Sequence, residues 1–278
     1  MENGILRYLL WDNWLVKYLL YPILVGYLLV MCAIIFFSGK LLFPSTSNGS
    51  SYQDTSEIIK LPTFDGVKIS AKYLPNEGAS YAILYSHGNG EDLGGIDKSI
   101  RRFNQMGFVV VAYDYHGYGT SGGAATEKST YYDIDAAYAY MRNELNIPAD
   151  RIILYGFSLG GAPSVDLAAR KPIAGLILES TFTSAFSLFI DLPGMPLDKF
   201  ENLKKIKGVH CPVLVIHGRA DRTIPIKQGE MLYQAANEPK LYLWVEEAGH
   251  NDVQKIAEDE YWRKVGEFMQ LVIQNPVK

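Results

Sequence analysis

The run Arg151-Ile-Ile-Leu-Tyr-Gly-Phe-Ser-Leu-Gly-Gly161 constrains the fold of this chain more than any other stretch. Its apolar β-formers lead into Gly156-Phe157-Ser158-Leu159-Gly160, and helix formers follow from Ala162 to Arg170. A serine at so tight a strand-to-helix turn takes strained backbone angles, and glycines two before and two after leave room for the chain to pass. The hydroxyl is then held above the sheet, and the start of the following helix aims the N–H of Leu159 at the place where an oxyanion would form. A bare G-x-S-x-G arises by chance roughly 0.1 times in a chain of this length. The strand before it and the helix behind it are what give this one meaning.

Around that turn the chain alternates. Ile58 to Leu61 and Val67 to Leu74, joined near Asp65-Gly66, read as a hairpin. Short apolar runs then recur at Tyr81–Tyr85, Phe108–Tyr113, Ile152–Tyr155, Gly175–Leu178, Pro212–Ile216 and Leu241–Val245. Helical stretches near residues 95–106, 128–145, 159–170, 226–236 and 252–274 separate them. This alternation predicts an α/β class: a mostly parallel, doubly wound sheet with an antiparallel start.

In open sheets of this kind, working residues sit on loops beyond the carboxyl ends of the strands. Two later strands each deliver one polar residue there, in Val213-Leu-Val-Ile-His-Gly-Arg-Ala-Asp221 and Leu241-Tyr-Leu-Trp-Val-Glu-Glu-Ala-Gly-His250. The order Ser158, Asp221, His250 suits a nucleophile, an acid that orients a base, and the base itself. Glu246 and Glu247 are the other carboxylates near His250, but both come too early on its own loop. His217, ending a buried strand, reads as structural. The loop Tyr85-Ser-His-Gly-Asn-Gly90 follows the correct strand for a second oxyanion donor, the N–H of Asn89, with Gly90 as the other candidate.

A net charge of −4 gives no basic footprint, so nucleic acid is not an expected partner. Five scattered histidines and two cysteines show no ligand spacing, and we expect neither a metal nor a cofactor.

Ser86-His-Gly-Asn-Gly-Glu-Asp-Leu-Gly94, Tyr113-Asp-Tyr-His-Gly-Tyr-Gly119, Asp133-Ile-Asp-Ala-Ala137 and Glu247-Ala-Gly-His-Asn-Asp252 resemble one branch of the α/β-hydrolase superfamily. That branch holds membrane-associated α/β-hydrolase-domain proteins, protein depalmitoylases among them, with serine aminopeptidases and prolyl-oligopeptidase-like domains more distant. The resemblance runs over about residues 57–275 and implies an α/β-hydrolase fold. It implies Ser158 as nucleophile, Asp221 as acid, His250 as base, and Asn89 with Leu159 as oxyanion donors. The expected activity is that of a serine hydrolase acting on carboxylic esters or thioesters through an acyl-enzyme. A small-molecule or acylated substrate is expected; an aminopeptidase-like peptidase and a non-catalytic tethered module are the alternatives. Residues 181–210 make a short cap, in which Phe182, Phe186 and Phe189 either line an acyl groove or pack the cap onto the core.

The N-terminal end differs from the cysteine-rich, lipidated ends of the depalmitoylases. Tyr18 to Phe37 is twenty residues without a charge, about 30 Å as a helix, which predicts a single transmembrane span. Tyr8, Trp11, Trp14 and Tyr18 suit a headgroup interface, so residues 1–17 form an interfacial segment. Residues 38–56, centred on Pro44-Ser-Thr-Ser-Asn-Gly-Ser-Ser51, read as a polar stalk, and residues 57–278 as the hydrolase domain. Arg7 and Lys17 before the span against Lys40 after it predict a cytoplasmic N-terminus, with the domain on the far side of the bilayer.

Overall fold

The computed structural model of the chain describes residues 14–27, 42–43, 50–188 and 198–276. The chain divides into two compact units, Met1–Leu42 and Phe43–Lys278. In the first, residues 14–27 are helical, with one wide turn over Val16–Leu20. Trp14, Tyr18, Tyr21, Ile23 and Leu24 all project outward. Among the described residues no helix is long and apolar enough to cross a membrane. Of the span expected over 18–37, residues 28–37 lie outside the described residues, as do 1–13 of the interfacial segment and 38–41 and 44–49 of the stalk.

The second unit is built on an eight-stranded sheet: β1 (Ile58–Pro62), β2 (Lys68–Leu74), β3 (Ala82–Ser86), β4 (Val109–Tyr113), β5 (Ile152–Phe157), β6 (Gly175–Glu179), β7 (Val213–Gly218) and β8 (Lys240–Val245). Their order across the sheet is β1-β2-β4-β3-β5-β6-β7-β8. β1 and β2 pair antiparallel, as do β2 and β4, and every later pairing is parallel. β3, β5, β6 and β7 are buried along their whole length, which is why each reads as an unbroken apolar run rather than an alternation.

Five helices cover the two faces: α1 (Asp97–Gln105), α2 (Glu127–Asn143), α3 (Gly161–Arg170), α4 (Ile226–Ala235) and α5 (Glu258–Gln274). Ile100 and Phe103 of α1 and Tyr261, Val265, Phe268 and Val272 of α5 close one face over Ile83, Tyr85, Ile153, Tyr155 and Ile177. Strand side chains alternate between faces, so Leu84, Leu154, Leu176 and Val215 serve the other, which takes Ile134, Ala137, Val165 and Leu232 from α2, α3 and α4. Thr126 begins α2 with a capping box: its hydroxyl accepts from Ser129 N–H, and Ser129 Oγ accepts from Thr126 N–H. The helix expected over 252–274 is interrupted at Ala257, leaving a short turn, Val253–Ile256, ahead of α5.

One polar group sits inside the first face. Glu179, at the end of β6, is buried and accepts from the phenols of Tyr155 (2.6 Å) and Tyr261 (2.8 Å). Burial raises its pKa above the ordinary carboxylate value, an effect the two phenols and the nearby histidines offset only in part.

Candidate active site

Register brings the working loops together at one end of the sheet. Ser86 at the end of β3 stands beside Gly156 near the end of β5, so the loop after β3 and the turn after β5 are adjacent. At that turn Ser158 has φ +52°, a left-handed conformation that a serine holds only under constraint. The constraint is visible. A Cβ on Gly156 would lie 2.5 Å from the carbonyl oxygen of Gly160, and one on Gly160 would overlap the carbonyl oxygen of Ser86. Thr181, just past β6, donates its hydroxyl to the Ser158 carbonyl at 2.7 Å and pins the turn from the side.

Ser158 Oγ lies 2.9 Å from His250 Nε2, and His250 Nδ1 lies 2.7 Å from Asp221 Oδ2. Facing a carboxylate, Nδ1 carries the proton, which leaves Nε2 to accept from the serine hydroxyl. Asp221 sits in the loop after β7, its side chain wholly buried, and its Oδ1 accepts the N–H groups of Thr223 and Ile224, each at 2.8 Å. Burial alone would raise its pKa. Hydrogen bonds from His217, His250 and Ile224 win, and hold the carboxyl well below the usual range. The loop carrying His250 is tied by Asp252, whose Oδ1 accepts Gly249 N–H at 2.7 Å. Glu246 is engaged elsewhere, 2.7 Å from Arg219.

His217 is buried, as a structural residue would be, and it also stands on the site. Its Nε2 is 2.8 Å from the Ile224 carbonyl oxygen and 3.3 Å from Asp221 Oδ2, so two histidines meet on one carboxylate oxygen.

Sequence reasoning missed the bracing of the loop after β3. The end of β4 and the loop after it grip the end of β3 and its loop residue by residue: Tyr113 hydroxyl with Ser86 hydroxyl at 2.8 Å, Tyr115 hydroxyl to the His87 carbonyl at 2.7 Å, and Tyr118 hydroxyl to Asn89 Oδ1 at 2.6 Å. Gly88 N–H is taken by Glu91 at 2.8 Å, which removes it as an oxyanion donor. Gly90 has φ +79°, the reversal that lets the loop turn back. Those tyrosines belong to a segment in which resemblance was the sole signal.

The aromatic residues of the cap divide. Phe182 and Phe186 are buried, 3% and 5% exposed, with Phe182 edge-on to Phe200 at 6.2 Å between ring centroids. Phe189 lies outside the described residues. The described parts of the cap hold short helical turns, Phe186–Leu188, Asn202–Lys205 and Ile206–Gly208, and Ala185 N–H meets the Lys199 carbonyl at 2.8 Å.

The chain is 38% identical over 226 residues to alpha/beta hydrolase domain-containing protein 17B of Homo sapiens, a match covering 79% of this chain and 77% of that protein. It belongs to that family of α/β-hydrolases. Alpha/beta hydrolase domain-containing protein aho-3 of Caenorhabditis elegans is 40% identical over 186 residues, covering 65% of this chain and 55% of that protein. Residues 78–193 of this α/β-hydrolase also match the family described as serine aminopeptidase, S33, an interval that runs from before β3 into the cap. Among solved structures, an esterase of Pyrococcus furiosus superposes with a TM-score of 0.65 at 22% identity, covering 77% of this chain and 91% of that one. An alpha-beta hydrolase of Vibrio vulnificus gives 0.67 at 18% identity, covering 83% and 92%. At such identities the likeness is one of fold.

Proposed function

We propose that this α/β-hydrolase is a serine hydrolase that cleaves carboxylic esters or thioesters through an acyl-enzyme. The observation that carries the reading is the relay from Ser158 Oγ to His250 Nε2 at 2.9 Å and from His250 Nδ1 to Asp221 Oδ2 at 2.7 Å. In the first half-reaction Ser158 Oγ attacks the acyl carbon and its proton passes to His250 Nε2, while the buried Asp221 carboxylate stabilises the imidazolium. The N–H groups of Asn89 and Leu159 receive the oxyanion. Collapse expels the alcohol or thiol, protonated by His250, and leaves the acyl group on Ser158. Water, deprotonated by His250, then attacks the acyl carbon and frees the acid. In the full-length chain, Ser158→Ala is expected to abolish both fluorophosphonate labelling and p-nitrophenyl ester cleavage in folded protein. Labelling that survives that change rules Ser158 out as nucleophile.

The match to a family described as serine aminopeptidase favours one second reading, peptide-bond cleavage by the same three residues. Rates on ester substrates of increasing chain length, set against aminoacyl amides, separate the two. We expect octanoyl esters to outrun both acetyl esters and amides, because an enzyme tethered at a bilayer meets acylated molecules.

The tether is the uncharged run Tyr18–Phe37, proposed as a single span with a cytoplasmic N-terminus, a stalk over 38–56 and the hydrolase domain on the far side. The outward-facing Trp14, Tyr18, Tyr21 and Ile23 of the first unit support it, since a helix apolar on its exposed sides is at ease in lipid. Carbonate extraction should leave the chain in the membrane pellet. Protease added outside intact cells should remove the domain after Ser45, and full protection there reverses the orientation.

A further inference from the structure

The segment that leads into β1 is fastened to the loop it would have to align. Ser51 N–H donates to Asp92 Oδ2 at 2.6 Å, and Ser51 hydroxyl donates to Asp92 Oδ1. The same Asp92 Oδ1 accepts Gly94 and Gly95 N–H groups at 3.1 and 3.0 Å, so Ser51 is held by the carboxylate that organises the turn into α1. One residue on, the Tyr52 phenol donates to Asp114 Oδ2 at 2.5 Å.

Asp114 is wholly buried, and what meets its carboxylate comes from the segment ahead of β1 and from the loop after β3. Tyr52 meets Oδ2; Leu93 N–H meets Oδ1 at 2.9 Å; His87 Nε2 lies 3.2 Å from Oδ1. The His87 ring in turn reaches the Gly88 carbonyl through Nδ1 at 2.8 Å, and it packs against Tyr115 and Tyr118 with ring centroids 4.4 and 5.7 Å apart. Those two tyrosines hold the His87 carbonyl and the Asn89 side chain. The path from Tyr52 to Asn89 therefore runs through hydrogen bonds and ring contacts joined by one electrostatic contact, that between the Asp114 carboxylate and the His87 ring. The receiving loops are shaped for the segment. A Cβ on Gly94 would strike the Ser51 hydroxyl, and one on Gly119 would overlap the Asp114 carboxyl and lie 2.8 Å from the Tyr52 ring.

We propose that Tyr52 is a positioning residue for the loop after β3: through Asp114 and His87 it holds the Asn89 N–H where the oxyanion forms. The proposal rests on the serine-hydrolase reading above. A buried carboxylate that loses a donor must turn to another or draw in water. Here the His87 ring faces the same carboxylate at 3.2 Å, and rotation of Asp114 on losing the Tyr52 phenol disturbs that contact and with it the backbone that bears Asn89. A residue ahead of β1 thereby sets the competence of a site whose nucleophile lies far along the sequence.

Tyr52→Phe in the full-length chain removes one oxygen from a half-buried ring. We expect kcat on a p-nitrophenyl ester to fall about tenfold, less than the loss of an oxyanion donor itself, with KM within twofold of wild type. Hydrogen exchange should quicken in residues 87–95 while α5 stays as protected as in wild type. Unchanged kcat, or a rise in KM alone, overturns the proposal, as does unchanged exchange in 87–95. A second variant, Asp114→Asn, tests the route: with Tyr52→Phe already present it should cost less than it does in the wild type, because the two act in series. Full additivity of the two losses overturns the route; should Asp114→Asn not fold, the exchange measurement on Tyr52→Phe decides. Ester turnover that persists in Ser158→Ala would refute the hydrolase reading; normal turnover in Tyr52→Phe beside a dead Ser158→Ala would refute the positioning role alone.

Discussion

The carbonyl oxygen of Ser86 occupies the space that a Cβ on Gly160 would need. The end of β3 and the turn after β5 are thus packed backbone to backbone, and no side-chain rotation relieves a substitution there. Gly160→Ala should destabilise the fold by about 3 kcal/mol or more and remove activity even in the folded fraction, as overpacking against backbone does. Urea unfolding with a turnover assay on the surviving soluble protein checks both.

Asp221→Asn keeps the shape of the side chain and removes its charge. With an amide facing Nδ1, His250 loses the partner that keeps the proton on that nitrogen, and Nε2 no longer accepts from Ser158. We expect kcat to fall on the order of 10⁴-fold, the scale of loss that follows a wrong tautomer. Steady-state kinetics on a purified, folded variant tests it, and a loss under tenfold would point to a different acid.

Glu179 makes stability depend on pH. Its folded-state pKa is raised by burial, so its contribution to stability is complete below the unfolded carboxylate value and is lost as pH climbs through the folded one. Glu179→Gln carries no charge to desolvate. It should be more stable than wild type by about 1 kcal/mol at pH 8, with the advantage shrinking toward pH 4. Chemical denaturation at the two pH values reads the difference, and an advantage that grows on acidification contradicts it.

Phe103 on α1 meets Tyr85, Phe108, Tyr155 and Trp262 edge-on, with ring centroids 5.1 to 6.3 Å away, and is 1% exposed. Phe103→Ala empties that space at a cost of about 3–5 kcal/mol. Since Phe103 takes no part in the Ser158–His250–Asp221 relay, kcat measured well below the melting temperature should stay within about threefold of wild type.

What the sequence discloses follows from how locally each feature is written. β5, Ser158 and α3 are legible because strand, turn and helix are contiguous. Asp221 and His250 are legible because each sits a fixed few residues past an apolar strand. The hairpin and the strands of the sheet appear within a residue or two of their observed limits, and for β3, β5, β6 and β7 burial on both faces leaves a plain apolar signature. The grip of Tyr113, Tyr115 and Tyr118 on Ser86, His87 and Asn89 is not written locally. It depends on the β3–β4 register, where Ser86 stands beside Tyr113, and a tyrosine-rich loop announces no such pairing. The serines and Tyr52 ahead of β1 read as stalk by composition, because a polar residue carries no mark of the buried carboxylate that awaits it. The break at Ala257 likewise follows from packing, for the residues on both sides are ordinary helix formers.

Ser158 and His250 touch across 92 residues of sequence, and three parallel strand pairings, β5 with β6, β6 with β7 and β7 with β8, lie between the strands that deliver the two loops. Contacts so distant along the chain close late in folding. Appearance of the serine–histidine contact during renaturation therefore doubles as a clock for the last step of sheet assembly, and a nick anywhere between β5 and β8 that loosens the sheet would register first as lost nucleophile reactivity.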